Sequence, residues 1–315
     1  MRFAILGPSC FGINLALYLQ SQGHEVFGIG RSKPKSQAFT LGLDWDYHTH
    51  HITYEPEPVI HLLRQKKPDF IINFAAQGES AASFKEDSWR YYETNCVGLS
   101  RLVSHLESVF IQIGSSEVYG PTANPAKESQ AITPTSPYSI SKGAFDEHLQ
   151  AVRERIVPFN IIRPSNAYCA GQQLHRIIPK SLLLGLCGGK LQLQGGGMAK
   201  KSYIDAHDLS RAILMICVKG QRGEIYNVGP NDPVSIREVV EIASNYAGRA
   251  FAEFIENTPS RFGEDKQYWI NSDKIKALGW KPETSLKAGI GRVYEWVKTY
   301  KEDLMRLPTE FEMRP

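Results

Sequence analysis

The 315-residue chain reads as an α/β protein, a doubly wound parallel sheet with a smaller, interleaved C-terminal α/β substrate domain. Three observations predict this. Short apolar runs (RFAIL, EVFGIG, DFIINFAA, FIQIGSS, FNIIRP) alternate with helical patterns such as NLALYLQSQG and SRLVSHLESV. The runs are apolar throughout, as strands buried on both faces of a parallel sheet are. Past residue 165 the alternation loosens, and glycine-rich turns enter with GLCGGKLQLQGGGMAKK.

Element by element, the stops agree with this pattern. Gly23 ends the first helix, and Pro68-Asp69 precedes the strand FIINFAA. SYIDAHDLSRAILMICVKG reads as strand then helix, and SIREVVEIASNYAG as an amphipathic helix. The expected division is residues 1–165 plus about 203–228 for the sheet domain, and about 166–202 plus 229–315 for the second. A small molecule is expected in the cleft between them.

Composition narrows the function classes. Hydrophobic residues make up 42% and charged residues 22%, with a net charge of +3, which argues against disorder and against a nucleic-acid or membrane surface as partner. Cys10, Cys96, Cys169, Cys187 and Cys217 are scattered without a CxxC pair, so they read as buried thiols of a reducing compartment. No apolar run approaches the ~18 residues of a membrane span, and MRFAILG enters a strand directly, so a soluble cytoplasmic protein is expected. His48, His50 and His51 in HTHHI lack a second ligand cluster and read as a polar strand edge, with no metal site expected.

ILGPSCFGINLALYL joins the first strand to the first helix. Gly7 permits a tight turn and Gly12 a close approach of the helix N-terminus to a pyrophosphate, with Ser9, Cys10 and Phe11 completing the loop of a Rossmann sheet. The G-x4-G spacing departs from the usual G-x-G-x-x-G, and Cys10 stands near the missing middle glycine. After the second strand comes GIGRS, without the acid that would hold a ribose 2′-hydroxyl. Arg31, with Ser32, Lys33 or Lys35, suits a 2′-phosphate instead, so NADP is expected ahead of NAD; a solvated basic loop is the alternative.

SPYSISKGAFDEHL places Tyr138 and Lys142 four residues apart, on one helical face. An ammonium beside a phenol favours the phenolate, so the tyrosine is expected to be drawn down toward neutral pH and to act as a base. Ser115, at the end of the run VFIQIG, is the hydroxyl expected to share its substrate oxygen. Two residues further, Glu117 puts a carboxylate where a buried strand runs out.

These pieces resemble the extended short-chain dehydrogenases/reductases of the NAD(P)-dependent epimerase/dehydratase family, in particular the GDP-mannose and dTDP-glucose 4,6-dehydratases. The resemblance rests on NFAAQGES, TNCVG, GSSEVYG, KESQAITPTSPYSISK, RPSNAY, IPKSLLLGL, SYIDAHDLSRA, GEIYNVG and SRFGEDKQYWINSDKIKALGWKP, in family order over nearly the whole chain. It implies that Ser115, Tyr138 and Lys142 serve hydride transfer, with Lys142 also on the nicotinamide ribose. Glu117 is then the base that removes the C5 proton of a hexose oxidised at C4, before water leaves from C6 and the hydride returns.

By the same resemblance Ala75, Ala76 and Gln77 line the cofactor and Asn95 supports them, while Asn166 and Arg261 contact the nucleotide-sugar. Three departures follow. Ser116 stands where the dTDP-glucose enzymes have an aspartic acid, so it relays a proton or only caps the loop. Glu79 in QGES binds a sugar hydroxyl, serves as an acid, or is a solvated loop charge. Lys201 replaces an arginine, which weakens one phosphate contact. A homodimer is implied. The alternatives kept open are a 4-epimerase or 4-keto reductase, a 5,6-dehydratase giving an unsaturated sugar, and a dinucleotide-binding protein without turnover.

Overall fold

Strands β1 (Arg2–Leu6), β2 (Glu25–Gly30), β3 (Asp46–Thr49), β4 (Phe70–Asn73), β5 (Val109–Ile113) and β6 (Phe159–Pro164) follow one another along the first half of the chain. Then come β7 (Asn166–Tyr168), β8 (Leu191–Gln194), β9 (Lys200–Lys201), β10 (Tyr203–Asp205), β11 (Ile225–Val228), β12 (Val234–Ser235), β13 (Ile255–Thr258) and β14 (Gln267–Tyr268). This is a computed structural model, described for residues 1–32, 36–260 and 267–312. Seven strands form one sheet in the order β11-β6-β5-β4-β1-β2-β3, with every pair parallel.

Helices α1 (Cys10–Ser21), α2 (Gln37–Thr40), α3 (Pro56–Lys66), α4 (Trp89–Tyr92), α5 (Leu99–Val103), α6 (Pro137–Ala151), α7 (Ile177–Leu186), α8 (Ala206–Lys219) and α9 (Ile236–Tyr246) cross between strands or cover their faces. Along β1 the side chains alternate between two cores. Phe3 and Ile5 pack with Leu15 and Leu19 of α1 and Ile213 and Ile216 of α8. Ala4 and Leu6 join the opposite layer, with Val59 and Leu63 of α3, Leu102 of α5 and Phe145 of α6. Burying each large aliphatic or aromatic side chain is worth about 1.5–3 kcal/mol, so a sheet covered on both faces selects strands that are apolar throughout. Only β3, at the edge, is polar and half exposed, which is where His48 lies.

In the second half, α7, α9 and the helix Leu286–Thr299 enclose Leu182, Val239, Ala243, Ile290, Val293 and Trp296. Trp296 Nε1 donates to Ala38 O at 2.7 Å and ties this core to α2. The start of α9 is a capping box, in which Glu238 N donates to Ser235 Oγ at 3.1 Å and Ser235 N to Glu238 Oε2 at 2.7 Å. The thiols need correction: Cys10, Cys169 and Cys217 are buried, but Cys96 is half-buried and Cys187 is exposed just past α7. The strand order reverses at β1, between β4 and β2, and a crevice at the carboxyl ends of these strands follows from that reversal. There α1 begins.

Candidate active site

The loop between β1 and α1 is shaped by its glycines. Gly7 takes φ +59°, and a Cβ there would come 2.4 Å from Ala75 Cα, so the end of β4 leaves no room for a side chain. Gly12 has a packing role. A Cβ on it would lie 3.1 Å from Ile5 Cγ2 and 3.0 Å from Pro8 Cβ, so it allows α1 to pack closely on β1. Ser9 gives α1 no side-chain cap and the first turn carries no acid. Its backbone donors and positive dipole end thus suit an anion, and the residues present fit a pyrophosphate.

Beyond β4, Asn73 Oδ1 accepts from Ala75 N at 3.1 Å, and Asn95 clamps Gln77 from both sides, its Oδ1 accepting from Gln77 N at 2.8 Å and its Nδ2 donating to Gln77 O at 3.1 Å. Asn95 sits in a π-helical turn (Glu93–Gly98) and also donates to Ser141 Oγ at 2.9 Å. The segment carrying Ala75, Ala76 and Gln77 is thereby fixed to α6.

Helix α6 starts at Pro137 behind a reciprocal cap of Ser136 and Ser139. It carries Tyr138, Lys142 and Asp146 at successive turns, facing the end of β5. Ser115 caps the turn Ser116–Tyr119, its Oγ accepting from Glu117 N at 3.2 Å, and it stands close enough to Tyr138 to favour the ionised phenol. Ser116 is buried within that turn. Glu117 Oε2 is buried without a hydrogen-bond partner, an arrangement that costs stability unless something else uses the atom.

The electrostatics overturn one expectation. Burial pushes the Tyr138 phenol up, not down, and the Glu117 carboxylate adds to the rise, while Ser115 and Arg176 offset it only in part. Lys142 is engaged elsewhere. Its Nζ donates to Ile113 O at 2.6 Å, and burial brings the ammonium itself down to about 8.

Glu79 is no solvated loop charge. Arg176 Nη1 lies 2.9 Å from its Oε2 and His175 Nε2 lies 3.4 Å from the same atom, while Ala81 N donates to Oε1 at 3.3 Å. Burial works against the charge, but His175 and Arg176 outweigh it and hold the carboxyl at about 2. A carboxyl so acidic is a poor proton donor at neutral pH, which removes the acid role among its expected ones. Glu79 O accepts from Tyr91 Oη at 2.8 Å, and the Tyr91 and Tyr138 rings meet edge to face at 6.3 Å. Arg176 and His175 were not anticipated from the sequence. The available signal was a cation at the start of an apolar helix, in HRIIP, where the dipole disfavours it unless an anion is near.

The remaining expected residues lie further out. Arg31 and Ser32 are exposed at the end of β2, where Tyr47 Oη donates to Ser32 O at 2.7 Å. Asn166 opens β7, its N donating to Ser202 O at 3.0 Å, and Lys201 stands over the Tyr268 ring at 5.3 Å. Lys33, Lys35 and Arg261 lie outside the described residues.

Residues 6–229 match the NAD dependent epimerase/dehydratase family. The chain belongs to that family. It is 31% identical to the mouse dTDP-D-glucose 4,6-dehydratase over 248 residues, 75% of this chain and 70% of that one. Among solved structures it resembles dTDP-glucose 4,6-dehydratase DesIV from Streptomyces venezuelae, determined with NAD bound, with TM-score 0.89 and 24% identity over 96% of this chain and 98% of that one. It also resembles the UDP-glucose 4-epimerase of Thermotoga maritima, with TM-score 0.86 and 22% identity over 95% of this chain and 99% of that one. The family includes both chemistries, so the side chains around Tyr138 must decide between them.

Proposed function

We propose that this family member is a nucleotide-sugar dehydratase, most specifically a 4,6-dehydratase of a nucleotide-activated hexose. The observation that carries the reading is the buried, unpartnered Glu117 Oε2 close enough to Tyr138 to raise the phenol. Inverting C4 alone requires no carboxylate base there; dehydration does.

The loop of Gly7, Ser9, Cys10, Phe11 and Gly12, with Ala75, Ala76 and Gln77, is proposed to hold a nicotinamide dinucleotide, consistent with the uncapped start of α1. When bound, that group supplies a reversible hydride acceptor and, oxidised, a cationic ring. Tyr138 exchanges a proton with the C4 oxygen, oriented by Ser115, while Lys142 binds ribose and supplies positive charge. The C4 ketone acidifies the C5 hydrogen, and Glu117 takes it as water departs from C6. Ser116, a neutral hydroxyl, relays a proton at most. Glu79, fixed as an anion by Arg176, accepts hydrogen bonds from sugar hydroxyls. Asn166, Lys201 and Arg261 are proposed for the nucleotide-sugar phosphates and ribose.

NADP is preferred over NAD on the strength of Arg31 and Ser32, exposed at the strand end without an acid. Residues 1–165 plus about 203–228 are proposed to bind the dinucleotide, a division supported by β11 joining the large sheet, and the remainder to bind the sugar nucleotide. Exposed Trp89, Val97 and Ile140, on α4, the π-helical turn and α6, favour pairing with a second copy of the chain.

Incubation with dTDP-, UDP-, GDP- and CDP-hexoses in deuterated water tests the reading. Loss of one water with deuterium incorporated at C5 is expected from at least one sugar. Inversion at C4 without C5 exchange would overturn it.

A further inference from the structure

Lys142 is 3% exposed, and taking an ammonium out of water is costly unless an anion stands near. One turn along α6, Asp146 is fully buried. Its Oδ2 accepts from Arg163 Nε at 2.9 Å, whereas its Oδ1 is buried with no hydrogen-bond partner. That oxygen faces the strand end that anchors the lysine: a Cβ on Gly114 would come 3.4 Å from Asp146 Oδ1, and Gly114 follows Ile113, whose carbonyl accepts from Lys142 Nζ. The orientation is fixed from behind. Arg163 Nη1 donates to Tyr119 Oη at 2.9 Å, Tyr119 Oη donates to Asn227 Oδ1 at 2.9 Å, and Asn227 N donates to Glu128 Oε1 at 2.9 Å.

We infer that Asp146 is a positioning residue that keeps Lys142 protonated and aimed at the substrate side of α6, held in place by the Arg163–Tyr119–Asn227 chain. The inference deepens the dehydratase reading and rests on it for the role of Lys142. Other ionisable groups near this side of α6 are Tyr138 on the helix itself, Glu117 from the turn after β5, Tyr91 from α4, and Glu79 and Arg176, which act on Tyr138, with Arg163 and Tyr119 behind Asp146. Asp146 is the anion that raises Lys142 against the lowering by burial.

The test is the titration of Lys142 in protein labelled with [ε-13C]lysine, its resonance identified by its loss in Lys142→Arg. The midpoint, about 8 in the unaltered protein, is expected to fall by about one unit in Asp146→Asn and to return in Asp146→Glu. Asp146→Asn with Arg163→Leu removes the guanidinium that asparagine leaves unpaired, and it carries the measurement if the single variant does not fold. The same acid-ward shift is expected in the alkaline limb of sugar oxidation, followed at 340 nm. An unchanged Lys142 midpoint in folded Asp146→Asn overturns the inference, as does a midpoint in the double variant no lower than in Arg163→Leu alone, which carries the loss of the guanidinium's charge. Absence of turnover in the unaltered protein would instead refute the dehydratase reading, and the resonance would still decide this one.

Discussion

Replacing Arg176 by methionine keeps an unbranched apolar stem and removes the cation 2.9 Å from Glu79. Glu79 is held at about 2 against an ordinary 4.5. That gap of roughly 2.5 units corresponds to about 3 kcal/mol favouring the folded state once the carboxyl is ionised in the unfolded chain. Because the folded value is the lower one, the contribution is full above the unfolded value and lost as pH falls through the folded value near 2. His175 remains in the variant, and the Arg176 side chain is 38% exposed, so solvent screens part of its effect. The expected loss is therefore about 1–2 kcal/mol at pH 7. Urea unfolding followed by tryptophan fluorescence reads it as a lower midpoint at unchanged slope. The gap between the two proteins should narrow below about pH 4, where the variant's Glu79 takes up its proton first. A gap below about 0.3 kcal/mol at pH 7, or one that stays constant down to pH 3, would refute the assignment of Arg176 as the group holding Glu79 ionised.

Three further outcomes are expected. Tyr138→Phe removes the proton acceptor for the C4 hydroxyl, and sugar oxidation measured at 340 nm should fall by about 10²–10⁴-fold with dinucleotide binding retained. Gly7→Ala forces a Cβ into Ala75 at a left-handed φ, so thermal unfolding should come earlier and dinucleotide affinity, by fluorescence titration, should drop. Arg31→Ala should weaken NADP binding about tenfold or more while leaving NAD nearly unchanged; equal losses for both would remove the 2′-phosphate assignment.

Much of this molecule is legible in its sequence because strands covered on both faces have no choice of composition. RFAIL, DFIINFAA and FIQIGSS announce themselves, whereas β3, half exposed at the edge, carries a polar pattern that a loop would share. The pairing of Tyr138 with Lys142 on one face follows from helical geometry alone. What spacing does not give is distance to partners far along the chain. Lys142 spends its ammonium on the Ile113 carbonyl, twenty-nine residues away, and Tyr138 rises where proximity to a cation suggested a fall. Glu79 meets His175 and Arg176 nearly a hundred positions later, and no local pattern in QGES distinguishes a clamped anion from a solvated one. Nor does its spacing show that Gly12 also lies against Ile5 and Pro8.

The most direct measurement is deuterium wash-in at C5 of the nucleotide-sugar by Glu117→Gln, beside the same measurement on the unaltered protein. Exchange should disappear in the variant while dinucleotide binding and the first oxidation at C4 persist. If C5 still exchanges at the unaltered rate, the carboxylate at the end of β5 is not the base.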